Sequence, residues 1–195
     1  MLGIGDKLPE FEVAGVKPKF MAHEENGESA FETITQDSFS GKWKAIFFWP
    51  KDFTFICPTE IVEYAKLNEE FADRDCVLMG GSTDNEFCKL AWRREHPDLN
   101  ELDMWMFADT NGSLLDGIGV RDADAGVALR ATLIVDPHNI IRQVTVNALN
   151  VGRNPKETLR LLDALQTDEL CPCNRPVGGD TIDLTAEAEK TQAAA

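Results

Sequence analysis

A mixed α/β fold is predicted by three features of the sequence. The apolar runs 45–49 and 76–80 flank the amphipathic stretch 58–72 with short links, the pattern of a right-handed strand–helix–strand crossover with a parallel strand pair. The runs 131–135 and 140–146 are joined by Asp136-Pro137-His138-Asn139, where Pro137 suits the second position of a turn, so they form an antiparallel hairpin. Asn154 and Pro155 then cap an amphipathic helix through Leu159, Leu162 and Leu165. At 195 residues the chain fits one domain with an added tail and is long enough to bury a core.

Taken in order, residues 1–43 show little periodicity. Residues 6–11 read as an extended lead-in, 23–30 as a polar surface loop, and 31–35 alternate like a short exposed strand. Gly41, Lys42 and Trp43 lead into the first core strand. In the helix that begins at Pro58, Ile61, Tyr64, Ala65 and Phe71 fall close to one face, and Glu63, Lys66, Glu69 and Glu70 lie largely elsewhere. It stops near Asp73-Arg74-Asp75, before a strand with no polar face. Thr83-Asp84-Asn85-Glu86 has capping-box spacing and opens a second helix through Phe87, Leu90, Ala91 and Trp92, which ends before Pro97. Residues 105–109 read as a short strand and 111–119 as a helix or turn. Residues 180–195, acidic and then alanine-rich, are expected to be poorly ordered.

Composition sets outer limits on function. A formal charge of −15 argues against nucleic acid or an anionic membrane as partner. No apolar run approaches membrane-spanning length, and the first residues lack a basic region followed by an apolar core, so a cytoplasmic location is expected. Five cysteines in such a chain suggest redox or metal chemistry rather than a disulfide framework. Zinc is disfavoured: Cys171 and Cys173 are two ligands where a structural site needs four, and His23, His96 and His138 have no ligand spacing.

One cysteine stands out. Cys57 lies where the loop after the first core strand turns into a helix, and Pro58 suits the first helical position because its missing N–H would have no partner there. Cys57 is thus expected to be the N-cap, facing free N–H groups and the positive end of the helix dipole, a setting that favours the reactive thiolate. Thr54 is placed to turn its hydroxyl toward the sulfur if the loop coils back, and Pro50 to screen the site from water. Position alone leaves two readings open, a reactive thiolate or an inert buried cysteine at a helix start. Cys76 and Cys88 read as small core residues.

Pro50-x-x-x-Thr54-x-x-Cys57 matches the peroxiredoxin signature, and residues 53–60 resemble the peroxidatic loop of the typical two-cysteine peroxiredoxins, alkyl hydroperoxide reductase C (AhpC) type. The resemblance covers about residues 5–177. It implies a thioredoxin-like fold over residues 1–166, with a tail over 167–195 that carries the resolving cysteine. By the same resemblance Cys57 attacks the peroxide, and Thr54 and Arg130 position it. Glu60 orients Arg153, which supports the pocket from behind, and Cys171 forms the disulfide with Cys57 of a partner subunit. Cys173 is an extra thiol, an aid to exchange with the reductant or an idle one. No metal, haem or flavin is called for. The electron donor implied is a thioredoxin-like or AhpF- or AhpD-type dithiol, and strand 140–146 would pair dimers that assemble into rings of ten or twelve. There is no Gly-Gly-Leu-Gly between Trp92 and Asp109 and no Tyr-Phe pair after Cys173, so by resemblance overoxidation should need much peroxide.

Two rivals belong to other classes. A thioredoxin-type disulfide reductase would need a second cysteine at Glu60. A holdase built from the same rings would bind unfolded client without Cys57, whereas a peroxidase would not work without it.

Overall fold

Seven strands of the described residues form one sheet. The computed structural model describes residues 1–100 and 102–185. In chain order the elements are β1 (Glu12–Val16), the small strands β2 (Glu24–Glu25) and β3 (Glu28–Ser29), β4 (Phe31–Thr35), β5 (Trp43–Phe48), α1 (Cys57–Ala65), α2 (Asn68–Ala72), β6 (Cys76–Ser82), α3 (Glu86–Glu95), a 3-10 turn (Pro97–Leu99), β7 (Trp105–Ala108), α4 (Ser113–Ile118), β8 (Arg130–Val135), β9 (Ile141–Asn147) and α5 (Pro155–Gln166). The crossover from β5 through α1 and α2 to β6 yields the expected parallel pair, and β7 continues it on the far side of β6. β8 runs antiparallel to β5, and β9 hairpins back on β8 as the last strand, so the sheet order is β4-β1-β7-β6-β5-β8-β9.

Strand β5 reads as a continuous apolar run because both its faces are covered. Ala45 and Phe47, with Trp49 just beyond, face a core built with Ile61, Tyr64, Trp92 and Leu162, while Ile46 and Phe48 face a second core with Leu115, Ile118 and Leu133. A Cβ at Gly80 would lie 2.4 Å from the Phe47 ring, so glycine there lets that ring settle on β6. Phe47 in turn stacks on Tyr64 with ring centroids 4.1 Å apart.

The structure corrects several local expectations. The loop 23–30 contains the β2–β3 ribbon, and β1, paired with both β4 and β7, had no clear signal. Ala14 and Gly15 mute its alternation, and a Cβ at Gly15 would press on Ile34. The helix expected over 58–72 is two helices, because Leu67 (φ −97°, ψ 4°) leaves helical geometry and its N–H bonds back three residues to the Tyr64 carbonyl. The cap of α3 is Asn85, whose side chain accepts from the Cys88 N–H at 2.8 Å, and not Thr83. Cys88 is half-buried rather than a core residue. The tail is also more tied down than expected as far as it is described. The Ile182 N–H donates to the Leu170 carbonyl at 2.8 Å, and the Thr181 hydroxyl bonds Glu169. Residues 186–195, where the expectation of disorder also fell, lie outside the described residues.

Candidate active site

The loop after β5 brings Pro50, Thr54 and Cys57 to one pocket. Helix α1 starts one residue earlier than expected: Ile56 is the N-cap and Cys57 the first helical residue, with Pro58 second. Pro58 is tolerated there because the second N–H of a helix is also without an intrahelical partner. Cys57 is 1% exposed. Its Sγ lies 2.9 Å from the Thr54 hydroxyl and 3.6 Å from Arg130 Nη1. The Thr54 hydroxyl also lies 2.9 Å from the Lys51 carbonyl. Its one proton serves a single acceptor at a time: the carbonyl when the sulfur is a thiol, the sulfur when it is a thiolate. The pocket opens to the surface, has a volume of about 320 Å³ and is walled by Pro50, Phe55, Ile56, Arg130 and Leu149.

Behind the sulfur lies a buried charge cluster. Glu60, one helical turn after Cys57, is 3% exposed. Its Oε2 accepts from Arg130 Nη1 at 2.7 Å and Arg153 Nη2 at 2.9 Å, and its Oε1 from Arg153 Nε at 2.8 Å and the Arg153 N–H at 2.9 Å. Glu60 therefore holds both arginines, not Arg153 alone. Arg130, the first residue of β8, is fixed further by Nε donating to the Leu149 carbonyl at 2.7 Å. Arg153 donates to the Ala131 carbonyl and the Thr132 hydroxyl, and its guanidinium lies 5.3 Å from the Phe47 ring centroid. Tyr64 bonds Thr132 and Thr158 at 3.0 Å each. Two guanidiniums and one carboxylate leave one positive charge in a dry place, which an anionic sulfur or departing oxygen would balance.

Sequence reasoning did not single out Tyr64, Thr132 or Leu149, because a core tyrosine, a strand threonine and a carbonyl carry no pattern of their own. It also passed over Asp52 and Lys89, both fully buried; the available signal was a lysine on the inward face of α3 beside Leu90 and Trp92.

Cys171 is not in this pocket. It lines a surface cavity of about 840 Å³ with Leu161, Ala164, Leu165, Leu170 and Ile182, and its thiol faces the Ala164 carbonyl at 3.7 Å. Asp163 ties the Arg175–Gly178 segment to α5, accepting from Arg175 Nη1 at 2.6 Å and the Gly178 N–H at 2.9 Å. Cys173 is exposed.

The two remaining cysteines sit in settings that disfavour ionisation. Burial pushes the Cys76 thiol up to about 12, and burial together with the Asp52 and Asp84 charges pushes Cys88 up to about 11. Iodoacetamide at pH 8 should therefore modify exposed Cys173 and leave Cys76 untouched until urea is added, as read by peptide mass spectrometry. Native-state labelling of Cys76 at a rate near that of Cys173 would contradict this.

The AhpC/TSA family model matches residues 4–144. Among curated relatives, alkyl hydroperoxide reductase C of Mycolicibacterium smegmatis is 48% identical over 184 residues, 93% of this chain and 94% of that protein. The Mycobacterium tuberculosis protein of the same name is 47% identical over 185 residues, 94% of each. Among solved structures, Mycobacterium tuberculosis AhpC superposes with a TM-score of 0.81 at 47% identity, covering 88% of this chain and 97% of that one. A reduced 2-Cys peroxiredoxin of Plasmodium vivax reaches 0.84 at 28% identity, covering 97% and 98%. With family, fold and length all in agreement, the chain belongs to the AhpC/TSA family of peroxiredoxins and is a thiol-dependent peroxidase with a thioredoxin-like fold.

Proposed function

We propose that the chain reduces hydrogen peroxide and organic hydroperoxides at Cys57 and completes its cycle through a disulfide between Cys57 and Cys171 of two subunits. The observation that carries this reading is the buried Cys57 sulfur at the base of a pocket, with the Thr54 hydroxyl and Arg130 Nη1 both turned to it. The thiolate attacks one peroxide oxygen. An S–O bond forms, the O–O bond breaks, and the other oxygen leaves with the electron pair and takes a proton as water or alcohol. Arg130 and the Thr54 hydroxyl supply donors where that negative charge moves, so the stabilisation grows toward the transition state. Thr54→Val should slow the single-turnover reaction with hydrogen peroxide about 10²-fold, as for loss of one preorganised donor. An unchanged rate in stopped flow would remove Thr54 from the mechanism.

Cys57 is left as sulfenic acid. Its condensation with the Cys171 thiol releases water and forms a disulfide. A dithiol of the thioredoxin-like or AhpF- or AhpD-type class returns both cysteines to thiols by exchange, supplying two electrons and two protons. Following the family resemblance, we assign the pairing to two subunits of a homodimer, with residues 1–166 as the catalytic domain and 167–195 as the tail that delivers the thiol; Cys57 and Cys171 line different cavities, which accords with it. Residues 5–8 bridge the start of β9, and among the described residues no strand lies beside the rest of its outer edge, which supports dimerisation there; the family resemblance extends this to rings of ten or twelve. Among the described residues no helix is long and apolar enough to cross a membrane, and we place the protein in the cytoplasm.

The test is a non-reducing gel after one equivalent of peroxide. Wild type and Cys173→Ser should run as a linked dimer, and Cys171→Ser as a monomer. A linked dimer in Cys171→Ser that disappears in Cys173→Ser would transfer the resolving role to Cys173.

A further inference from the structure

We propose that Lys89, acting through Asp52, is a positioning residue for the Cys57 loop, and that its contact sets where the Thr54 hydroxyl stands. The inference rests on the reading of Cys57 as the peroxidase nucleophile.

Asp52 lies in the loop between Pro50 and Cys57, yet its side chain and that of Lys89 are both fully buried. The Asp52 Oδ1 accepts from Trp49 Nε1 at 2.6 Å, the Ser82 hydroxyl at 2.9 Å and Lys89 Nζ at 3.2 Å, and its Oδ2 lies 3.3 Å from the same Nζ. Lys89 Nζ also donates to Ser82 Oγ at 2.8 Å and sits 4.9 Å from the Trp49 ring centroid. The Asp52 N–H donates to Asp84 Oδ2 at 2.7 Å. The loop is thereby tied at one residue to the end of β6, to the segment after it and to α3.

The backbone just beyond Asp52 is the reason a tie is needed. Phe53 has φ +54°, a left-handed conformation that a bulky side chain holds only when its surroundings fix it. Its ring packs on Trp92 at 5.7 Å between centroids, and Asp52 fixes the backbone before it. The next residue is Thr54, whose hydroxyl reaches the sulfur. With Lys89 gone, Asp52 is a buried carboxylate without its cation, and the way to relieve it is to turn toward water. Phe53 then relaxes to negative φ and carries Thr54 away from Cys57. An apolar pair would fill the same space without a desolvation cost, so the ion pair is better explained by the geometry it imposes than by stability.

The test is a double-mutant cycle between Lys89→Met and Thr54→Val in the full-length protein. It reads the single-turnover rate with hydrogen peroxide by stopped flow and the urea midpoint of each variant. Lys89→Met is expected to slow the reaction about 10- to 100-fold in the wild-type background, the scale of a displaced catalytic group, and to add nothing once Thr54 is valine. If Lys89→Met fails to fold, Asp52→Ala/Lys89→Met, which removes both the buried charge and the side-chain tie that holds the loop, takes its place with the same expectation. An equal slowing in both backgrounds overturns the proposal, because the effect then bypasses Thr54. So does a Lys89→Met rate equal to wild type beside a slow Thr54→Val, an outcome that leaves the pocket reading standing. If Thr54→Val itself is as fast as wild type, the reading of Thr54 and the proposal fall together.

Discussion

Cys57→Ser is expected to lower the rate of peroxide reduction by about 10⁴-fold or more, the scale found when a covalent nucleophile is removed. The substitution changes one atom at a site 1% exposed, so the fold and the pocket should survive it. A serine hydroxyl offers a poor nucleophile for oxygen, since almost none of it is ionised at neutral pH. The donors from Thr54 and Arg130 remain, but they act on charge that never develops. The remaining thiols give little relief: Cys76 and Cys88 are held protonated, and Cys171 and Cys173 lie outside the Thr54–Arg130 pocket. The measurement is peroxide consumption in excess dithiol, with a urea midpoint near wild type as the control for folding. Retention of more than a tenth of the wild-type rate would move the chemistry to another residue. A holdase that needs no thiol would show client binding unaffected by the same change, which separates the two functions in one variant.

The fold was readable where periodicity and punctuation were both strong. Residues 45–48 of β5 and 76–80 of β6 are apolar on both faces, Pro97 stops α3, and Asn154 with Pro155 starts α5. It was unreadable where pairing, and not local pattern, decides the structure. β1 is a strand because β4 and β7 lie beside it, and nothing in Ala14 and Gly15 announces that. The α1–α2 break hinges on Leu67, an ordinary helix former turned out of helical geometry by its context. The site divides in the same way. A loop motif puts Thr54 and Cys57 three residues apart, a distance that one turn of backbone must span. That Arg130 and Arg153, from either side of β9 in the chain, meet on a single carboxylate is set by the sheet, and the family resemblance suggested only the Arg153 half of it. The Asp52–Lys89 tie has no such motif, and appears only once α3 is laid against the loop.

Glu60→Gln should be the most destabilising single change near the site, at about 3–5 kcal/mol, the cost of breaking a buried ion pair by removing one partner. Gln has the shape of Glu, so the loss does not come from packing. Both oxygens of Glu60 accept from two N–H groups each, and whichever way the amide is flipped, its NH₂ faces two donors. Two guanidiniums, 4% and 3% exposed, then share a dry site with no anion but the sulfur. Arg130 loses its anchor 2.7 Å away and shifts relative to Cys57, so the single-turnover rate should fall about 10²-fold, as for a lost transition-state donor. Urea unfolding measures the first effect and stopped flow the second. Glu63→Gln, in the next turn of the same helix, is the internal comparison: Glu63 pairs with Lys66 in full solvent, where the exchange should leave both readouts at wild type. Equal behaviour of the two variants would mean that Glu60 contributes no more than a solvated charge does, and that the arginines are held by Leu149, Ala131 and Thr132 alone. The carboxylate matters because it lets two cations occupy one pocket with a single positive charge left over, and that charge faces the sulfur.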